Sequence, residues 1–277
     1  MSSYLFFKVS VPSEGVLLVE MNRPPVNAFN QPFWEEMQKV FEAASKDGDI
    51  RVVVLASALP QLFTAGLDLK NTGVLMNHGN LDPARHALRL REHILVFQAA
   101  ISSIEKCLKP VIAACHGLCL GLAIDILCAT DVRYAASSSS FSIKEVDVGL
   151  AADIGTLSRM PKIVGNMSLV REWAFSAKNF SADEALQVGF VSKVVQGGQN
   201  EVVAAAIETA KLIASKSPIA VLGTKHLLLH AQDHSVTESL EYTATWNQAM
   251  LQSDDTIQAF RAALSRTQPK FAPLPKL

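Results

Sequence analysis

The sequence predicts an α/β protein built from βαβ units and completed by a helical layer. Short apolar, β-branched runs at 51–56 and 111–115 alternate with segments of 3.6-residue periodicity, and from about Thr156 onward the helical period dominates. Hydrophobic residues make up 49% of the 277-residue chain and charged residues 18%, enough apolar side chain for a buried core. Length alone leaves one or two domains open, and no internal repeat marks a division.

The elements follow in order. Residues 5–9 and 16–21 read as strands, ahead of the turn-rich Arg23-Pro-Pro-Val-Asn-Ala-Phe-Asn. A helix begins near Pro32, with Phe33, Met37, Val40, Phe41 and Ala44 on one face. The run at 51–56, apolar after Arg51, is a strand expected to be covered on both faces. After the loop Phe63-Thr-Ala-Gly-Leu-Asp-Leu come a long helix over about 85–106, a strand at 111–115 and a helix from about Gly121. Strands at 132–135 and 141–143 flank Ser137-Ser-Ser-Ser-Phe, a polar turn rather than a phosphate loop. Helices at 168–175, 182–187, 201–214 and 236–250 dominate the last part.

Several function classes lose support. The net charge of -1 (Lys+Arg 25, Asp+Glu 26) supplies no field to gather nucleic acid or an anionic membrane. The longest apolar candidate, 111–129, is interrupted by His116 and Asp125 and falls short of a membrane span. The N-terminal Met1-Ser-Ser-Tyr-Leu-Phe-Phe-Lys has neither signal-peptide nor transit-peptide character. No phosphate loop, dinucleotide fingerprint, nucleophile elbow or H-E-x-x-H spacing occurs, so no metal and no separate cofactor is expected. Cys107, Cys115, Cys119 and Cys128 lie in one segment, three of them in apolar sequence that suits buried free thiols better than disulfides or zinc.

Three carboxylates stand out. Asp125 lies in Gly121-Leu-Ala-Ile-Asp-Ile-Leu-Cys-Ala, where a charge faces steep desolvation; it either bonds neighbouring backbone or a base, or does chemistry. Glu145 follows a strand, as a surface residue or a side chain aimed into a cleft. Asp153 precedes a helix, as its N-cap or as a third acid. Together, in apolar surroundings, the three suit proton transfer near neutral pH. The turns Ala65-Gly-Leu-Asp-Leu and His116-Gly-Leu-Cys-Leu-Gly-Leu are either tight turns alone or sources of backbone N–H groups for a carbonyl oxygen.

Arg23-Pro-Pro-Val-Asn-Ala, Phe63-Thr-Ala-Gly-Leu-Asp-Leu, Pro110-Val-Ile-Ala-Ala-Cys-His-Gly and Cys128-Ala-Thr-Asp-Val-Arg-Tyr occur in order and spacing over most of the chain. In this they resemble the crotonase (enoyl-CoA hydratase/isomerase) superfamily. Lys144-Glu-Val-Asp-Val-Gly-Leu-Ala-Ala-Asp-Ile-Gly-Thr-Leu and Ala244-Thr-Trp-Asn-Gln-Ala-Met-Leu-Gln look like its Δ3,5-Δ2,4-dienoyl-CoA isomerase branch.

The resemblance implies a crotonase-type spiral over 1–197 and a C-terminal helical trimerisation region over 198–277. It implies an acyl-CoA substrate whose coenzyme A is the only cofactor-like group, and a homotrimer or hexamer. It also implies that Asp125 and Glu145 occupy the two hydratase acid positions and that Asp153 is the third acid of the dienoyl isomerases. Backbone N–H groups of Leu67 and Leu122 fall on the oxyanion positions, with Ala65, Gly66, Asp68 and Leu69 completing the substrate loop. Leu122 and Ala123 replace two of three consecutive glycines usual in the family. A 2-enoyl-CoA hydratase, a Δ3-Δ2-enoyl-CoA isomerase and a crotonase-fold RNA-binding protein are the rival readings. Acyl-chain preference should depend on the segment from Thr72 to His93. Pro275, Lys276 and Leu277 partly resemble a peroxisomal import signal, making an import receptor a possible partner and the peroxisome the expected location, with mitochondrion or cytoplasm as alternatives.

Overall fold

The computed structural model describes residues 4–71 and 79–277; part of the segment expected to set acyl-chain preference, and residues 1–3, lie outside that range. Strands β1 (Phe7–Ser13) and β2 (Val16–Met21) form an antiparallel hairpin. Strands β3 (Val52–Ser57), β5 (Val111–Cys115), β7 (Val132–Ala136) and β10 (Lys193–Val195) extend it in parallel, in the order β1-β2-β3-β5-β7-β10. A second sheet has the order β4-β6-β8-β9, from Leu62–Thr64, Leu118–Leu120, Ser140–Ser142 and Phe180–Ser181.

After β3, β5 and β7 the chain turns within a few residues into β4, β6 and β8 respectively. Each circuit therefore contributes one strand to either sheet, and the circuits stack into a spiral. Asn27, fully buried, holds the first corner by donating to the Ser57 hydroxyl (2.8 Å) and to the Phe63 carbonyl (3.0 Å).

Period-2 alternation sends the side chains of the large sheet to two cores. On one face Leu17, Val19, Val53, Leu55 and Ala113 join the main core with helix α1 (Gln31–Lys46) and helix α2 (Pro83–Lys106). On the other, Val16, Leu18, Val52, Val54 and Ile112 meet Val202, Ala206, Ala210 and Ala214. These four lie at i+4 spacing on a helix spanning Gln199–Ala214 whose small side chains let it approach closely.

Asn30 caps α1 by accepting from the Phe33 N–H, and Pro32 sits in its first turn. All five residues expected on its buried face are buried, as is Trp34, which stacks on Phe97 of α2 at 4.9 Å between centroids. Asp82 caps α2 through the Ala84 and Arg85 N–H groups. Helix α3 (Leu122–Cys128) is buried throughout, α4 spans Thr156–Ile163, α5 Met167–Ser176 and α6 Ala182–Gln187. The Gln199–Ala214 helix is α7, followed by α8 (Pro218–Ala231), α9 (Val236–Met250) and α10 (Asp254–Ser265). Arg51 ties this end to the body, donating to the carbonyls of Ala214 (2.9 Å) and Phe271 (2.6 Å). The Lys276 ammonium pairs with Asp49 at 2.8 Å.

Four strands were not expected from the sequence: β4, β6, β9 and β10, of two or three residues each, are too short to show an alternation and owe their existence to neighbouring strands. The first strand runs from Phe7 to Ser13 rather than 5–9, since the hairpin with β2 sets its extent.

Candidate active site

Strands β4, β6 and β8 run parallel, Leu118 opposite Leu62 and Ser140 opposite Leu118, with a register shift in β4 between Leu62 and Thr64. The segments leaving their C-terminal ends meet at a cavity of about 190 Å³. Leu67 follows β4, Leu122 follows β6 and Glu145 follows β8, and all three line it. Loops at the carboxyl ends of parallel strands are where such sheets place their chemistry.

Phe29 holds the first loop in place. Its N–H donates to the Gly66 carbonyl (2.8 Å) and its carbonyl accepts from the Asp68 N–H (2.9 Å), leaving the Leu67 N–H pointing away from Phe29. Gly66 has φ +89°, and a Cβ there would lie 2.7 Å from the Leu120 carbonyl oxygen and 3.4 Å from the Leu122 nitrogen. The two turns therefore touch, and the amides of Leu67 and Leu122 lie at adjacent edges of the same cavity. Leu122 opens α3, so its N–H has no acceptor within the helix. Gly121, at φ +53°, makes that sharp entry possible.

Asp125 stands one helical turn after Leu122 and is 2% exposed. Its Oδ1 accepts the Thr156 N–H at 2.7 Å, so it holds the first turn of α4. Burial first, then the charges of Glu145 and Asp153, push its pKa up to about 7. Glu145, half-buried, begins a 3-10 turn spanning Glu145–Val148. Its Oε2 is buried and has no hydrogen-bond partner among the described residues. Burial and then Asp153 raise its pKa. Asp153 is the most exposed of the three, and partial burial of its carboxyl raises its pKa while His93 opposes the rise.

Two simpler readings are thereby excluded. Asp153 does not cap α4: the N-cap is Gly155 without a side-chain bond, and Asp125 serves that end from outside. Glu145 is not a surface residue. The backbone-bonding reading of Asp125 holds, together with a place on the cavity wall.

In the 65–69 loop, Ala65, Leu67 and Leu69 line the cavity. Asp68 instead pairs with Arg23 at 2.9 Å, which anchors the loop from behind. The Leu122 side chain is 4% exposed and forms part of the wall. His93, Ile94 and Phe97 of α2 and Lys144, Val148, Leu150 and Ile154 complete the lining, none of them anticipated from sequence. The one available signal was the i, i+4 spacing of His93 and Phe97.

Three carboxylates sharing a largely apolar cavity cannot all ionise at neutral pH at little cost. Acid and base forms therefore coexist in a cavity that Leu67 and Leu122 also line, an arrangement suited to taking a proton from a carbon next to a carbonyl and returning one elsewhere.

The sequence profile of the family described as enoyl-CoA hydratase/isomerase matches residues 12–273. Mouse mitochondrial Δ(3,5)-Δ(2,4)-dienoyl-CoA isomerase is 46% identical over 277 residues, covering 99% of this chain and 84% of the mouse protein. The peroxisomal Δ(3,5)-Δ(2,4)-dienoyl-CoA isomerase of Arabidopsis thaliana is 42% identical, covering 92% and 91% of the two chains. Among solved structures, enoyl-CoA hydratase from Bacillus anthracis superposes with a TM-score of 0.85 at 25% identity, covering 96% of this chain and 98% of that one.

Proposed function

The chain belongs to the enoyl-CoA hydratase/isomerase family, and from that premise we infer that it is a Δ3,5-Δ2,4-dienoyl-CoA isomerase acting in fatty acid β-oxidation. The observation that carries the assignment is the third carboxylate, Asp153, in one cavity with Asp125 and Glu145, in a chain whose near relatives bear that name.

Ionised Glu145 removes a proton from C2 of the 3,5-dienoyl thioester. The resulting dienolate spreads its charge from the thioester oxygen to C4 and C6, and the Leu67 and Leu122 amides donate to that oxygen. Protonated Asp153 delivers a proton to C6, leaving double bonds at C2 and C4. Asp125 responds to the charges of both Glu145 and Asp153, and in this reading it helps keep the acids in complementary protonation states. One proton leaves and one arrives, so the reaction needs no redox partner and no cofactor beyond the coenzyme A of the substrate.

The test follows absorbance of the 2,4-dienoyl chromophore from 3,5-dienoyl-CoA, with 2-enoyl-CoA as the hydration control. Asp153→Asn should lower kcat by ~10²–10⁴-fold, the usual weight of general acid-base catalysis. A variant that builds the chromophore at the wild-type rate removes Asp153 from the C6 step.

Leu240, Leu251, Phe260 and Leu264 on or beside α9 and α10 are 63–87% exposed in the single chain, which supports assembly as a homotrimer or hexamer. Pro275, Lys276 and Leu277 support peroxisomal import through a receptor. A tagged chain lacking them should stay in the cytosol, and unchanged organellar location would defeat that reading.

A further inference from the structure

Five titratable side chains line the cavity: Asp125, Lys144, Glu145, Asp153 and His93. The ammonium of Lys144 is engaged, by Asp147 at 3.1 Å and by the Ala177 carbonyl at 3.0 Å. Arg159 of the neighbouring α4 is held by Glu105 (3.0 Å) and Ser102 (2.8 Å) on α2, and Lys162 of that helix pairs with Asp233. Among the described residues, His93 is therefore the basic side chain of the cavity wall left to act on the acids. Its ring meets Trp34 edge-on, with centroids 6.1 Å apart at 71°, and Trp34 is itself clamped against Phe97.

The same helix grips Asp153 by its main chain. Asp153 sits between the turn at Gly149 and the start of α4, in a stretch without regular structure. There Gln98 Nε2 donates to the Asp153 carbonyl at 2.5 Å, across 55 residues of sequence.

We propose that Gln98 and His93 are positioning residues for the third acid: Gln98 fixes the backbone from which Asp153 reaches the cavity, and His93, from the same helix, sets a basic ring in the cavity wall that the Asp153 carboxyl shares. This rests on Asp153 acting as the C6 acid. A cationic imidazole favours the ionised form of a neighbouring carboxyl, and burial pushes the other way. Without His93 the proton stays on Asp153 to higher pH. Asp125 and Glu145 remain as the carboxyl neighbours and Lys144 and Arg159 keep their own partners, so the effect of removing His93 is directed at Asp153.

The experiment compares kcat and KM for 3,5-dienoyl-CoA between pH 5 and 9 in wild type, Gln98→Met, His93→Gln and Asp153→Asn, with thermal melts of each. Gln98→Met keeps the side-chain length without the donor and should lower kcat by ~10–100-fold, the scale of a misplacement near 1 Å, with KM nearly unchanged. His93→Gln should move the alkaline limb of the kcat profile to higher pH and leave the acid limb in place. If Asp153→Asn is inactive while both other variants keep wild-type kcat and profile, the inference is overturned and the function stands. If Asp153→Asn is as active as wild type, the reading of Asp153 itself fails and the inference with it. Should Gln98→Met melt early, the His93→Gln profile decides alone.

Discussion

Asp125 joins the proposed proton transfer to folding in one buried carboxyl. Its pKa of about 7 lies above the ~3.9 of an unfolded aspartate, so the folded chain keeps a proton that the unfolded chain releases. The fold therefore loses stability as pH rises from about 4 through 7, by an amount on the order of 4 kcal/mol, and loses no more above that. Asp125→Asn retains an acceptor for the Thr156 N–H and removes the titration. Urea unfolding should show the variant gaining on wild type at pH 8 and matching it near pH 4; a constant difference at both would place the titration elsewhere. Leu122 poses the opposite case, a large apolar side chain beside a backbone donor. Leu122→Ala should cost ~2–5 kcal/mol as a buried truncation and widen the cavity wall, with rates rising for bulkier acyl chains relative to short ones. Asp125 was conspicuous in the sequence because charge in an apolar run demands a reason. His93 and Gln98 were not: both are ordinary on a long helix, and their meaning arises from a loop 55 or more residues away.

At the scale of elements, β3 and β5 were legible because full burial makes a strand continuously apolar, and α1 because one face repeats every turn. β4, β6 and β8 are shorter than the pattern needed to see them clearly, and β4 and β6 escaped altogether, yet they place the two amides and the base. What the sequence did show there was glycine, at 66 and 121, where the backbone must bend. Gly66→Ala tests the contact between the turns. With φ +89° and a Cβ 2.7 Å from the Leu120 oxygen, the loop has to shift, since the obstructing atom is backbone. Activity should fall ~10²–10³-fold, as for loss of an oxyanion donor, with KM less affected. Normal kcat in this variant would detach the 65–69 loop from oxyanion stabilisation.

For the whole molecule, the spiral was anticipated only through family likeness, because stacking of circuits is a long-range property that no local period records. The C-terminal helices carry the next consequence. No residue of α9 is buried in the single chain, and Phe260 and Leu264 on α10 are 67% and 87% exposed. Phe260→Asp combined with Leu264→Asp should lower the mass seen by light scattering toward that of one chain, 30.0 kDa; an unchanged oligomer would move the interface off this face. Finally, Leu67, Leu122 and Glu145 lie two or three residues beyond the ends of strands that are hydrogen-bonded neighbours. The strand ends beneath them are spaced by the pitch of a β-ladder, ~4.8 Å, a length that no side-chain substitution can retune. Divergence of this scaffold toward a new reaction has one free register, the irregular segments beyond the strands, and a protein engineer changing its chemistry should spend mutations at 149–155 and on the facing helix while leaving the ladder alone.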